Sequence, residues 1–374
     1  LGPAFLTFHG AESSRFTHSL GVFHIARKAL NKLEKLDPTF TKKRALVYAA
    51  SLLHDLGHGP LSHTGEEIFG IKHEQWSAKL ITEDISIRSP LEKFQKGLAD
   101  EVANLLLQSN TCSNPIKSII SSQLDCDRLD YLLRDSYSTG TNYGHLDLER
   151  ILNALTLAPD GDLAINPKGL MAVEHYLVVR NLMYRSVYNH RINEVCNWIL
   201  EKLIKTARQM GPKHIWADQI MSTWLWKTNE IDLDTFLGND DIRTCYHFLR
   251  WSKEAPKPLA NLCERFINRN LLKAVNINNL SNEKKLEVLS KARGLSSKFD
   301  LDPDFTCGLR TQSQSGYHPY KGGLRLWDGK KLQALEELSP LVKSLIKPSG
   351  ASWLIYPKEI DETIKTYTNN LENK

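Results

Sequence analysis

Within its first sixty residues the chain runs an apolar helix straight into a charge. Ala49-Ala50-Ser51-Leu52-Leu53 is followed at once by His54-Asp55, and the breaker cluster Gly57-His58-Gly59-Pro60 then ends a helix expected over Lys43 to Leu56. A carboxylate at the end of so apolar a run is costly to bury unless a cation or several donors meet it. Adjacent His-Asp pairs are common by chance, but burial here demands a partner. The chain must therefore fold so that other polar groups reach this helix end. Helices packed side by side with ligands turned inward satisfy that demand most simply.

Two other segments supply such groups. His18 follows Arg15-Phe16-Thr17, next to a helix in which Leu20, Phe23, Ala26, Leu30 and Leu33 recur at steps of three or four until Pro38 closes it. Asp127 lies in Asp125-Cys126-Asp127-Arg128-Leu129-Asp130-Tyr131. His18, His54, Asp55 and Asp127 make a mixed nitrogen and oxygen set suited to a divalent ion such as Mn, Fe, Ni, Zn or Mg. The six Cys, Cys112 among them, form no CxxC pair, which argues against a thiolate zinc site and for a reducing compartment, taken here as the cytoplasm. His58 and His63 follow the glycine break, and His73-Glu74 come soon after. A His beside a carboxylate can be oriented and kept protonated by it, as a general acid requires. Asp127, Tyr131 and Asp135 fall at i, i+4 and i+8 on one helix face, and Arg180, Tyr184 and Tyr188 repeat the spacing. Aromatics so spaced are usually core, but an Arg heading the stripe has a fork of donors that matches phosphate.

The rest of the chain sets the fold class. A third helix is expected from Pro115 to about Arg134, then a loop at Ser138 to Gly144 and a β-hairpin from Leu155 to Asn166 centred on Asp160-Gly161. A long helix follows from about Leu170 to Ala207. After Met210-Gly211-Pro212 helical segments continue to about Arg293. From Phe305 the tail reads as two strands, a helix over about Lys331 to Ile346 and a last strand at Trp353 to Tyr356. The expectation is a mainly α protein with a helical catalytic core over 1–210 and a smaller helical and α+β region over 211–374. No run of 18 apolar residues exists, so no membrane span is indicated. The net charge of +5 is mild and Lys42-Lys43-Arg44 reads as a solvated face, so nucleic acid is possible but not indicated. With no initiator Met, the chain is expected to begin partway into a longer product or to have been trimmed.

At this point the motifs resemble a known family. Arg15 through Val22 is similar to R-F-x-H-S-L-G-V, and His54 through His63 to H-D-L-G-H-G-P-[FL]-S-H. His73-Glu74 matches H-E, and Asp125 through Asp135 resembles D-x-D-[KR]-x-D-Y-x-x-R-D. These are motifs of the HD-domain deoxynucleoside triphosphate triphosphohydrolases, and the resemblance covers roughly residues 1 to 200. The tail from Gly322-Gly323-Leu324 through Pro357 looks like the weaker pattern of bacterial members. The resemblance implies an HD-domain core with His18, His54, Asp55 and Asp127 as metal ligands. It implies His73 as acid or base oriented by Glu74, and His63 beside the phosphate chain, aiding the leaving group. Arg15, Arg128, Tyr131 and Arg180, with His58, would contact triphosphate, and Asp135 and Tyr188 would lie near the sugar. It further implies hydrolysis at the α-phosphorus to deoxynucleoside and triphosphate, by a homo-oligomer, dimer or tetramer. The family's segment ahead of Leu1-Gly2 carries a sugar-contacting Gln, and regulated members bind activating nucleotides upstream; this sequence includes neither. Two rival readings remain. One is another HD phosphohydrolase: a nuclease, cyclic-nucleotide phosphodiesterase or monophosphate nucleotidase. The other is a nucleotide- or nucleic-acid-binding regulator with a silent site.

Overall fold

The computed structural model describes residues 2–107, 115–319 and 323–372; Leu1, Cys112 and Gly322 fall outside them. Helix α1 (Arg15–Leu36) starts where the Ser14 hydroxyl accepts a hydrogen bond from the Thr17 amide. It buries His18, Val22, Ile25, Ala26, Ala29, Leu30 and Leu33 on one face. Helix α2 (Arg44–Leu53) buries Leu46, Val47, Ala49, Ala50 and Ser51 against it, and stops short of the expected Leu56 because His54 and Asp55 already lie in the turn. Two short helices follow, α3 (Ser62–Phe69) and α4 (His73–Glu83), and the helix Cys126–Thr139 then packs beside α1.

Two glycines allow the close approaches on which the site depends. A Cβ on Gly21 would lie 1.8 Å from Asp130 Oδ1 and 2.4 Å from Arg134 Nη2, so only a glycine lets α1 sit this near the 126–139 helix. A Cβ on Gly57 would lie 2.1 Å from the His73 carbonyl oxygen. Its amide instead donates to Ser77 Oγ at 2.8 Å, and Ser77 Oγ donates to the His54 carbonyl at 2.7 Å, which pins the 54–58 turn onto α4. Gly21→Ala is expected to destabilise the chain by about 1–3 kcal/mol, as overpacking does. A urea midpoint that falls at constant slope would show it, and an unchanged midpoint would mean the two helices part freely.

Three expected elements differ. The helix from Pro115 does not reach Arg134: it ends at Ile120, and a new one begins at Cys126. The Asp125 carboxylate accepts from the Ser122 and Arg128 amides at 2.8 and 2.7 Å, so it caps the second helix and breaks the first. The long helix from Leu170 also divides, into Leu170–Met183, a π-helical turn over Tyr184–Tyr188 and Arg191–Met210, the last capped by His190. The wider π turn carries Tyr188 round to Asp135. In the tail, Leu332–Ala334 is a strand, and Pro340 with its Ser339 cap opens a separate short helix, so no single helix spans 331–346.

The hairpin is where it was expected, as β1 (Leu155–Leu157) and β2 (Leu163–Ile165). The other strands are β3 (Lys273–Asn276), β4 (Gly308–Gln314), β5 (Arg325–Trp327), β6 (Leu332–Ala334) and β7 (Ser349–Tyr356). One sheet has the order β1-β2-β5-β6, with β2 and β5 parallel. The other is antiparallel, β3-β7-β4, with Leu354 of the central strand opposite Val275 and Leu309. Strand β3 and a last helix, Asp361–Glu372, were not anticipated. Tyr317, Leu335 and Val342 of the tail join the hydrophobic core built by α1 and the Leu170–Met183 helix. Arg310 of β4 forms a 2.5 Å ion pair with the buried Glu194 of the Arg191–Met210 helix, tying the second sheet to the helical core. The protein is mainly α, and no helix among the described residues is long and apolar enough to cross a membrane.

Candidate metal centre

The three helix ends converge as the buried Asp55 requires. His18 Nε2 lies 3.1 Å from Asp127 Oδ1 and 3.6 Å from Asp55 Oδ2. His54 Nε2 lies 3.5 Å from Asp55 Oδ1 and 3.9 Å from Asp127 Oδ1. Both imidazoles are turned inward by what holds their other nitrogen. His18 Nδ1 donates to Asp130 Oδ2 at 2.8 Å, and His54 Nδ1 donates to the Ser51 carbonyl at 3.0 Å. With the proton placed on Nδ1, each Nε2 presents a lone pair to the common point. His54 Nε2 is buried and has no hydrogen-bond partner. Two imidazoles, two carboxylates and an orphaned buried nitrogen fit a divalent cation, which HD domains bind.

The charges at this point are mutually dependent. At His18 Nε2 a proton competes with a cation: burial opposes the charged form, but hydrogen bonds to Asp127 and Asp130 outweigh it and raise the pKa to about 9. His54 is raised for the same reasons, with burial opposed by Asp55 and Asp127. Burial likewise pushes Asp55 up, yet His54, His58 and Arg15 hold it well below the usual carboxylate range. Arg15 Nη1 reaches Asp55 Oδ2 at 2.5 Å.

Next to this centre stands a second cluster that the sequence reading saw only in part. The Nδ1 atoms of His58, His63 and His73 all approach the Glu66 carboxylate, at 3.0, 2.9 and 2.9 Å. Glu74 does not hold His73: its nearest oxygen is 3.6 Å from Nδ1 and its side chain is 55% exposed. Neighbouring positions on a helix point apart, so Glu74 turns to solvent while Glu66, arriving from α3, takes its expected place. Glu66 is three residues beyond His63, on the same helix face, and that spacing was the available signal. Burial lowers the affinity of His73 for a proton, but Glu66 overcomes it and the pKa is raised above 6.5.

A third group, around Arg128 and Tyr131, is cationic and aromatic. Arg180 Nη1 donates to Gln123 Oε1 at 3.0 Å and to the Gly316 carbonyl at 3.4 Å, while its buried Nε has no partner. Arg128 Nε donates to the Ser122 carbonyl at 2.7 Å and lies 3.2 Å from Asp125. Tyr131 and Tyr184 hydroxyls are 3.4 Å apart, and the Tyr188 hydroxyl donates to Asp135 at 2.9 Å. Sequence reasoning missed Glu66, Gln123 and Asp130, and the tail backbone at Gly316 that Arg180 grips.

Helices that hold two His and two Asp around one buried point make a candidate metal centre. The chain belongs to the HD domain family: residues 15–135 match the HD domain and residues 146–370 the HD associated region. It is 34% identical over 371 residues to the uncharacterized protein YwfO of Bacillus subtilis (strain 168), covering 96% of this chain and 84% of that one. It is 25% identical over 254 residues to the deoxynucleoside triphosphate triphosphohydrolase SAMHD1 of Danio rerio, covering 58% of this chain but only 40% of that protein. Among solved structures, a phosphohydrolase from Bacteroides thetaiotaomicron VPI-5482 superposes with a TM-score of 0.79 at 26% identity, covering 96% of this chain and 91% of that one.

Proposed function

We propose that this HD-family protein hydrolyses deoxynucleoside triphosphates to deoxynucleoside and inorganic triphosphate. The observation that carries the reading is what surrounds the His18, His54, Asp55 and Asp127 set. His58 Nε2 lies 3.5 Å from Asp55 Oδ1 and joins the histidine cluster to it, while Arg128, next to Asp127 in the chain, and the buried Arg180 both lie near enough to Tyr131 to act on its charge. With Arg15, the two arginines offer three positive charges, which favour a polyphosphate over a monophosphate.

When bound, a divalent ion supplies Lewis-acid polarisation of a phosphoryl oxygen. The rest falls to the chain's own residues. Asp130 and the Ser51 carbonyl keep His18 and His54 aimed at that ion. Arg15, Arg128 and Arg180, with Tyr131 and His58, bind the triphosphate and neutralise its charge while a water oxygen bonds to the α-phosphorus, losing a proton to solvent, and the bond from that phosphorus to the 5′-oxygen breaks. The departing oxygen needs a proton. His73, kept protonated beside Glu66, is the acid that gives its proton to the 5′-oxygen, and His63, on the same carboxylate and 75% exposed, relays a proton in from solvent to restore it. Asp135, joined to Tyr188, lies at the sugar. We expect a homo-oligomer in the cytoplasm, and a monomer at micromolar concentration in light scattering would contradict the first point.

The test is incubation with each of the four deoxynucleoside triphosphates and Mn²⁺ or Mg²⁺, the products being separated by ion exchange. Triphosphate with deoxynucleoside is the expected outcome. Monophosphate or diphosphate would instead assign another phosphohydrolase activity, and bound nucleotide with no product a regulator. Asp130→Ala is expected to weaken Mn²⁺ binding about 10- to 100-fold, the usual effect of losing the partner that orients a ligating His. Calorimetric titration measures it, and unchanged affinity would show that His18 needs no support.

A further inference from the structure

Arg180 is a buried cation whose hydrogen-bond partners are neutral. It is 4% exposed, forms no ion pair with a carboxylate among the described residues, and holds an Nε–H that meets no acceptor there. A guanidinium so buried is costly until an anion reaches it. Its Nη1 donates to Gln123 Oε1 at 3.0 Å and to the Gly316 carbonyl at 3.4 Å. Gly316 belongs to the C-terminal tail, so the tail forms part of the surroundings of this arginine.

That stretch of tail, residues 315–319, is held in place by contacts of its own. The Tyr317 amide donates to the Leu345 carbonyl at 3.2 Å, and the Tyr317 hydroxyl donates to Glu336 at 3.0 Å and accepts from the Leu324 amide at 2.7 Å. A Cβ on Gly316 would lie 3.2–3.3 Å from Asn181, so the backbone runs directly against the helix that carries Arg180. His318, two residues on and part-buried, lies near enough to Arg180 and Arg128 for both charges to act on it. The Cys126–Thr139 helix, the Leu170–Met183 helix and the tail therefore bring Arg128, Arg180 and His318 together. Asp125, 3.2 Å from Arg128, offsets that charge, but Arg180 has no such carboxylate among the described residues. An imidazole set beside two guanidinium groups, one of them uncompensated, suits a ligand that carries several negative charges.

We infer that His318 is a triphosphate-binding residue, supplied by the tail to a site whose other phosphate contacts come from Arg15, His58, Arg128, Tyr131 and Arg180. The inference rests on the polyphosphate reading proposed above. Burial first, and then Arg180 and Arg128, lower the affinity of His318 for a proton, so at pH 7 it is neutral before the anion binds. The charge of a bound triphosphate acts the opposite way, and His318 takes up a proton as the anion arrives. The gain in affinity is therefore full below the free-state pKa, which is under 6.5, and is lost as pH rises through the higher pKa in the complex.

The test titrates inorganic triphosphate into the full chain by calorimetry, with no metal added. Buffers of different ionisation enthalpy count the protons taken up, and thermal melting is followed on the same preparations. His318→Gln keeps an N–H donor but cannot gain a proton. At pH 7 the parent is expected to take up more protons than this variant, by a difference of up to about one per triphosphate bound. At pH 6 the parent is expected to bind about tenfold tighter, the effect of one hydrogen bond to a charged group, and the gap should close toward pH 8. His318 is only part-buried, so the variant is expected to melt as the parent does. Equal affinity and equal proton uptake overturn the role of His318, and in a chain that cleaves deoxynucleoside triphosphates they leave the proposed function standing. Weaker binding with an unchanged proton count makes His318 a packing residue and overturns the role as well. A parent that binds no triphosphate overturns the site. Proton uptake that depends on His318, in a chain that cleaves no deoxynucleoside triphosphate, keeps the site and overturns the proposed function instead.

Discussion

Replacing Asp127 with Ala is expected to lower turnover by about a thousandfold or more while the helical fold survives. Asp127 Oδ1 faces both inward imidazole nitrogens, at 3.1 Å from His18 and 3.9 Å from His54. Its loss leaves three ligands and removes one of the two negative charges that balance a divalent ion there. Neither packing nor capping depends on it. Leu129 and Leu132 anchor the 126–139 helix in the core, and Asp125 caps it. Asp127→Asn keeps the shape and removes only the charge, so it should lose most of the activity as well. Rate, metal content and thermal melting would be measured on the same preparations. A near-parental rate with unchanged metal content would remove Asp127 from the ligand set.

The cluster of His18, His54, Asp55 and Asp127 was legible because burial and charge conflict in local sequence. An apolar run ending in His54-Asp55 demands a partner, and the residues offered, His18 and Asp127, are the ones the fold delivers. Helix faces were legible for the same reason: Ala26, Leu30 and Leu33 recur at helical spacing and are fully buried. What stayed hidden depends on contacts between distant segments. Nothing near His73 indicates that its carboxylate partner is Glu66 on the preceding helix rather than adjacent Glu74, because that choice is made by the loop packing that Gly57 permits. Helix breaks at Asp125 and Tyr184 were missed because apolar periodicity continues across them while a side-chain cap or a π turn changes the backbone. The short strands β3 and β6 carry too few residues for alternation to show. The grip of Arg180 on Gly316 joins residues 136 apart in the chain, a pairing no local pattern encodes.

Glu66→Gln is expected to shift the pH profile of the reaction as well as its rate. In the parent, burial disfavours charged His73, but the hydrogen bond and negative charge of Glu66 prevail and hold its pKa above 6.5. The acid form is therefore abundant at neutral pH, and the rate should fall only as pH rises through that elevated value. Gln keeps the size and one oxygen acceptor but removes the charge, so the main contribution raising the His73 pKa is lost and burial brings it down. The falling limb moves to lower pH. At pH 7.5 the rate should drop about 10- to 100-fold, part of the 10²–10⁴-fold that general acids contribute, and the gap should narrow as the medium is acidified. Asp127 and His18 lie outside this cluster, so Mn²⁺ binding at the first centre should be preserved. A uniform loss at every pH would mean that Glu66 serves only to position His58, His63 and His73. An unchanged profile and rate would place the acid elsewhere.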